Sequence, residues 1–129
     1  MASLNHIEIY VSDLDQTRQF WEWLFRQIGG WTLYQEFNGG FSYKHGELYL
    51  VFVQAQAKHL AAGYHRGRVG LNHLAFSAPD RAHVDNLMTM LQERNVSILY
   101  ADQHPNPSGK PYAVYFEDPD RIKVEYVTD

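Results

Sequence analysis

The sequence predicts an α+β fold in which two β-α-β-β-β modules form a curved mixed sheet around a concave central site. Two observations lead to this prediction. The tripeptide Leu-Asn-His occurs at positions 4–6 and again at 71–73. Each copy begins an apolar pattern typical of a strand, followed by an Asp-containing turn and the apolar spacing of an amphipathic helix. A repeat of this length indicates a duplicated half-domain and not a solenoid. The two halves are expected to share one site.

The first module begins with a predicted strand at residues 4–11, whose side chains alternate between two faces. One face is aliphatic and is expected to pack on a helix. The other face carries the imidazole of His6 and the carboxylate of Glu8. Ser12 or Asp13 is expected to cap the helix that follows.

That helix has an apolar stripe that includes Trp21 and ends at a Gly-Gly pair at 29–30. Trp23 and Phe25 are predicted to point away from the stripe, toward a partner subunit. Short turn sequences, Asn-Gly-Gly and His-Gly, then separate three strand candidates. These strands are predicted at residues 31–37, 41–44 and 47–54.

Module one is therefore expected to span residues 1–54, a linker residues 55–69, and module two residues 70–129, all within one domain. The linker can begin with a short helix at 55–62. The second module repeats the order of the first, with Pro79 or Asp80 opening its helix. Its strands are predicted at 70–77, 96–101, 112–116 and 121–127, and a loop rich in Pro and Gly occupies 104–111.

Composition excludes several classes of function. A chain of 129 residues with a net charge of −4 gives no electrostatic reason to bind nucleic acid or an anionic membrane. No apolar run is long enough to span a bilayer, and the N-terminus lacks a signal-peptide pattern. The absence of cysteine excludes thiolate chemistry and fits a cytoplasmic location. Seven histidines direct attention to histidine chemistry.

Three segments carry a resemblance to a known family: LNHIEIYVSDLD with FWEWLF, then GLNHLAFSAPD, then YFEDPDRIKVEYV. In this order and spacing they resemble the vicinal-oxygen-chelate superfamily. That superfamily includes glyoxalase I, bleomycin-resistance proteins, fosfomycin-resistance proteins and extradiol dioxygenases. The resemblance covers essentially the whole chain and implies the paired-module fold. It leaves the reaction open, because one scaffold hosts lyases, isomerases, oxygenases, transferases and drug binders.

The resemblance also implies a metal site. Transferred by position, the first-strand ligands are His6 and His73, and the last-strand carboxylate is Glu125. The fourth position aligns with Val51, whose side chain cannot ligate a metal. The chain therefore departs from the two-histidine, two-glutamate pattern of glyoxalase I.

Two histidines and one carboxylate would suit a divalent ion such as Fe, Mn, Zn, Ni or Co, and the sequence does not choose among them. Such an ion acts as a Lewis acid on a small oxygenated substrate. The expected function is a metal-dependent lyase or isomerase, or a dioxygenase. The alternatives are a metal-free drug-binding protein, as in bleomycin resistance, and a fosfomycin-type thiol transferase. The superfamily is often dimeric, which implies a homodimer.

Two further residues are candidates for a catalytic role. Glu8 shares a strand face with His6 and is a candidate general base, a partner that orients an imidazole, or a rim carboxylate. Tyr115 is a candidate hydrogen-bond donor to a substrate oxygen, with Tyr112 on the same strand as the alternative for this role and core packing as the other use of either residue. Three more residues are possible contacts for a substrate anion: His104, Lys110 and Arg121, the last in a turn position usually held by glycine.

Overall fold

A computed structural model describes all 129 residues, in two compact units, Met1–Gly63 and Tyr64–Asp129. The first unit contains β1 (His6–Val11), α1 (Leu14–Ile28), β2 (Thr32–Phe37), β3 (Gly40–His45), β4 (Leu48–Gln54) and a 3-10 helix (Ala57–Ala62). The second contains β5 (His73–Ser77), α2 (Arg81–Glu93), β6 (Ile98–Leu99), β7 (Tyr112–Glu117) and β8 (Lys123–Thr128). The predicted β-α-β-β-β order is confirmed in both.

Each unit has one mixed sheet of four strands, with the order β1-β4-β3-β2 in the first unit and β5-β8-β7-β6 in the second. The opening strand of each unit runs parallel to its last strand, and the other neighbours are antiparallel. The α+β class is confirmed. The eight strands form two sheets where the sequence had suggested one continuous sheet, because side-chain alternation identifies strands but not their hydrogen-bonded neighbours.

Helix α1 buries one apolar face in the first unit. Asp13 is the N-cap, and its carboxylate accepts a hydrogen bond from the Gln16 backbone N–H at 3.1 Å. The prediction that Phe25 points away from the core is wrong. Phe25 lies four residues after Trp21, one turn along the same face, and is 1% exposed. Its ring packs 5.4 Å from that of Trp21 and 4.9 Å from that of Tyr43.

The cap of α1 gives a first prediction. Asp13→Ala removes the side-chain acceptor for a backbone N–H of the first turn. We expect the free energy of unfolding to fall by about 1 kcal/mol, the usual cost of losing such a cap. Urea denaturation measures it. The matched control is Asp102→Ala, the same change at an exposed loop position, and an equal loss in both variants would contradict the capping role.

Helix α2 plays the same part in the second unit. Asp80 caps it by accepting a hydrogen bond from the His83 N–H at 3.0 Å, which decides between the two predicted starts. The helix packs its apolar face on one side of the β5-β8-β7-β6 sheet. The fully buried side chains there are Val84, Leu87, Leu91, Val114, Phe116 and Val124. The opposite side of this sheet is thereby left for polar side chains.

The predicted strand at 96–101 is reduced to Ile98–Leu99. Tyr100 ends it, because its backbone is in the left-handed region at φ 54°, where a strand cannot continue. The carbonyl of Tyr100 then accepts hydrogen bonds from the backbone N–H groups of Gln103 and His104, both at 2.9 Å.

The turn between β7 and β8 keeps a glycine-like conformation although it has an arginine. Arg121 has φ 66°, which costs a residue with a side chain about 1–2 kcal/mol. Asp118 holds the turn, since its buried carboxylate accepts hydrogen bonds from the N–H groups of Asp120 and Ile122 at 2.8 and 2.9 Å. The Arg121 side chain pairs with Glu117 at 3.2 Å, and Arg66 binds the same carboxylate.

No helix in the structure combines the length and the hydropathy that crossing a bilayer requires.

Candidate functional site

The polar side of the second sheet brings the predicted site residues of this unit together. Lys123 and Glu125 are two residues apart on β8, so strand alternation puts them on one face. His73 on β5 is the register partner of Lys123, and Tyr115 on β7 is the partner of Glu125. Four side chains from three neighbouring strands therefore occupy one patch.

This patch forms the floor of an open pocket of about 320 Å³. That volume is at the lower end of the range for small-molecule sites. The lining residues are His73, Tyr100, Gln103, His104, Tyr115, Lys123 and Glu125.

His73 and Glu125 are the pair at its centre. The Nε2 atom of His73 is 3.1 Å from Oε1 of Glu125. The Glu125 side chain is 11% exposed and that of His73 is 36% exposed, so the carboxylate is held in the sheet and the imidazole faces the pocket.

Asn72 determines which nitrogen of His73 is available. Its Nδ2 donates a hydrogen bond to the carbonyl of Arg66 at 3.0 Å, which fixes the orientation of the amide. Oδ1 of Asn72 therefore faces Nδ1 of His73, at 2.7 Å. Since this oxygen can only accept, Nδ1 of His73 carries a proton and donates it.

Nε2 of His73 is the ring nitrogen that faces Glu125. With Nδ1 protonated, a neutral His73 would point the lone pair of Nε2 at a carboxylate oxygen of Glu125. The contact is favourable only if a cation lies between them, either a proton on Nε2 or a metal ion bound by both groups.

An imidazole nitrogen and a carboxylate oxygen are donors that divalent transition metals accept. Histidine ligands are also commonly oriented through their second nitrogen. His73 and Glu125 are therefore two donors of the type that the ion implied by the sequence binds.

Tyr115 is positioned to act on this pair. Tyr115 is the register partner of Glu125, and its hydroxyl lies close enough to the Glu125 carboxylate to donate a hydrogen bond to it. Partial burial, followed by the negative charge of Glu125, raises the pKa of the Tyr115 hydroxyl, so it stays a protonated donor at neutral pH. Tyr112 is not part of this pocket, because its side chain is largely buried and its hydroxyl donates a hydrogen bond to Asp85 on α2 at 2.5 Å.

The remaining predicted ligand, His6, lies in the first unit on β1 and has a similar local setting. Its Nδ1 is 2.6 Å from Oδ1 of Asn5, and its ring stacks on Tyr49 at a centroid distance of 4.7 Å. In both units the Asn of the repeated tripeptide therefore contacts the His that follows it. The structure contains no group of three or more histidine or acidic side chains placed to hold one ion, and the pair in the second unit supplies two donors.

Glu8 and Val51 are directly opposite each other in the first sheet. Glu8 is two residues after His6, just as Ala75, the partner of Glu125, is two residues after His73. Val51 thus occupies the position in the first unit that Glu125 occupies in the second. The only carboxylate at this level of the first unit's β1–β4 pair belongs to the exposed Glu8.

The three possible anion contacts have different positions. His104 lines the pocket, with its ring 5.0 Å from that of Tyr115 and its Nδ1 buried without a hydrogen-bond partner. Lys110 is exposed and is not among the pocket residues. Arg121 lines a separate hollow of about 70 Å³ with Arg66.

Three pocket residues were not identified from the sequence, namely Lys123, Tyr100 and Gln103. The sequence could have indicated Lys123, because it precedes the predicted ligand Glu125 by two positions on the same strand and so shares its face. The sequence could not have indicated Tyr100, since its place in the pocket depends on a left-handed backbone conformation that the residue pattern does not predict.

Comparison with known proteins agrees with this fold. The family model described as Glyoxalase/Bleomycin resistance protein/Dioxygenase superfamily matches residues 3–126. A Bacillus subtilis (strain 168) protein, "Uncharacterized protein YqjT", is 48% identical over 125 residues, covering 96% of this chain and 97% of that protein.

Two solved structures are also similar. A "putative glyoxalase" from Bacillus halodurans has a TM-score of 0.92 and 49% identity, covering 98% of this chain and 95% of that one. Lactoylglutathione lyase from Agrobacterium tumefaciens has a TM-score of 0.67 and 26% identity, covering 98% of this chain and 93% of that one.

Proposed function

The chain belongs to the Glyoxalase/Bleomycin resistance protein/Dioxygenase superfamily, and we propose that within it the protein is a divalent-metal-dependent lyase or isomerase of a small oxygenated substrate. The observation that carries the proposal is the contact between His73 and Glu125. The imidazole has an oxygen atom close to each nitrogen, at 2.7 and 3.1 Å, and a metal ion held jointly with Glu125 would bind at Nε2.

In this proposal His73 and Glu125 hold the metal, and His6 is the third ligand expected from the sequence. The bound ion would supply Lewis-acid stabilisation of negative charge on a substrate oxygen. Tyr115 orients Glu125 through its hydroxyl. Glu8 is proposed as the general base, which takes a proton from a hydroxyl-bearing carbon next to a carbonyl and returns it to the carbonyl carbon, while the hydroxyl proton passes to the former carbonyl oxygen. That transfer needs no oxidant and no second substrate.

The choice of lyase or isomerase over dioxygenase is supported by similarity. The lactoylglutathione lyase is 26% identical and aligned over 98% of this chain. The valine at position 51 argues against the four-donor site of glyoxalase I itself, so we propose the reaction class and not that enzyme's substrate. We also propose a homodimer, which sedimentation equilibrium of the purified protein would test.

The reaction class is tested by turnover after reconstitution. Metal-free protein is loaded in turn with Mn, Fe, Co, Ni and Zn and offered hemithioacetals of α-ketoaldehydes or catechols. We expect isomerisation of a hemithioacetal that stops when a chelator removes the metal. Ring cleavage of a catechol, or metal-loaded folded protein inactive on every hemithioacetal, would contradict the proposal. Tight binding of a glycopeptide drug by the metal-free protein would favour a binding function instead.

Asn72 gives a prediction about the metal that does not depend on substrate. Asn72→Ala removes the acceptor that orients His73, and loss of such an outer-shell partner lowers metal affinity by roughly 10- to 100-fold. Titration with a divalent ion measures it. Asn86→Ala, at an exposed position on α2, is the matched control. Equal affinities in both variants would show that Asn72 does not orient a ligand.

A further inference from the structure

Lys123 is a cation beside the proposed metal ligands. It is directly opposite His73 in the parallel β5–β8 pair and two residues before Glu125 on the same strand. All three line the same pocket. A molecule bound to His73 and Glu125 would therefore also meet the ammonium group of Lys123.

The surroundings of this ammonium are aromatic and contain no anion paired with it. Nζ of Lys123 lies 5.5 Å from the ring centroid of Tyr100 and 6.0 Å from that of Tyr115. Its hydrogen bond, to the Tyr100 hydroxyl, is long at 3.5 Å. Lys123 takes part in none of the ion pairs in the structure. The two rings attract the ammonium weakly and do not neutralise its charge, which therefore stays available to an incoming anion.

Tyr100 provides a second and independent observation. It is one of three non-glycine residues with positive φ, a backbone conformation that is strained for a residue with a side chain. Its ring meets that of Tyr115 edge-on at a centroid distance of 5.5 Å. Strain that persists because the surroundings impose it is concentrated at ligand sites, and here it puts the ring and hydroxyl of Tyr100 beside Lys123.

The charges of the pocket also favour an anionic substrate over a neutral one. With a divalent ion on His73 and Glu125, Lys123 would add a further positive charge, since the carboxylate opposite it, that of Glu117, is paired with Arg66 and Arg121. A neutral substrate would leave that charge uncompensated, whereas an oxyanion would form a charge-assisted hydrogen bond with Nζ.

We propose that Lys123 selects the substrate by charge: the substrate is a small organic oxyanion, whose negative group binds Lys123 between Tyr100 and Tyr115 while its other oxygen functions face His73 and Glu125. This rests on the proposed function, since it gives the substrate class of the same site. Carboxylate, phosphonate and phosphate groups share the required chemistry.

The test compares two probes of nearly equal size, the anionic glycolate and the neutral glycolamide. Calorimetric titration of metal-loaded protein gives the ratio of their dissociation constants in wild type, Lys123→Met and Lys123→Arg. Lys58→Met, at an exposed position in the other unit, is the matched control. The metal's own preference for a carboxylate is common to all four proteins and cancels when the ratios are compared. Metal content is measured in each sample, and Lys123→Gln replaces Lys123→Met if the latter does not fold.

We expect Lys123→Met to reduce the preference for glycolate by about 10-fold or more, the usual weight of one charge-assisted hydrogen bond. Lys123→Arg should retain most of the preference, and Lys58→Met all of it. A metal-loaded Lys123→Met protein with the wild-type preference would overturn the role of Lys123 and leave the proposed function standing. A folded wild type that takes up no metal would overturn the proposed function, and this inference with it.

Discussion

Replacing Glu125 with Gln lowers the affinity of the protein for a divalent cation by more than the roughly 10- to 100-fold that loss of an outer-shell partner costs. The change keeps the size of the side chain but removes the negative charge that lies 3.1 Å from Nε2 of His73. The amide keeps an oxygen that can accept the hydrogen bond from Tyr115. The variant therefore separates loss of charge from loss of packing.

Metal titration of the purified variant measures this effect, and Glu93→Gln, at the exposed end of α2, is its control. Turnover with the substrate found by reconstitution should fall in parallel in Glu125→Gln and stay unchanged in Glu93→Gln. If Glu125→Gln bound metal as tightly as Glu93→Gln, the carboxylate would not be a ligand.

The largest effect on stability is expected for Trp21→Ala. Trp21 is fully buried, and its ring packs against those of Phe25 and Phe52 at 5.4 and 5.0 Å. Removing the indole leaves a cavity between α1 and β4, and such truncations cost about 3–5 kcal/mol. Chemical denaturation followed by circular dichroism measures the loss.

Trp23→Ala is the control for this prediction, because Trp23 is on the same helix but only half-buried. We expect it to lose less than half as much stability. Equal losses would mean that the change in helix content, and not the cavity, governs the stability of both variants.

The repeated Leu-Asn-His tripeptide was enough to predict most of the fold. Strand and helix patterns of period 2 and 3.6 are local, and each copy precedes the expected order of elements. Sheet partners are not local, which is why the sequence suggested one sheet where the structure has two. Phe25 was misplaced although its spacing of four residues from Trp21 indicated the buried face.

The site could be predicted in part for similar reasons. Resemblance placed the candidate ligands His73 and Glu125 on the first and last strands of the module, and these strands are hydrogen-bonded neighbours. The role of Asn72 as an acceptor for His73 depends on its second hydrogen bond, to Arg66, which no spacing reveals. The left-handed turn at Tyr100 likewise shortened a predicted strand and added its ring to the pocket.

The assignment of a metal-binding function is tested most directly by the metal content of the protein. Wild type, His73→Ala and His6→Ala are incubated with each divalent ion, passed through gel filtration and analysed for bound metal by mass spectrometry. We predict about one tightly held ion per wild-type chain of this donor class, and loss of that ion in both variants while they remain folded. A folded wild type that retains no ion, or a His73→Ala protein that retains as much as wild type, would contradict the assignment.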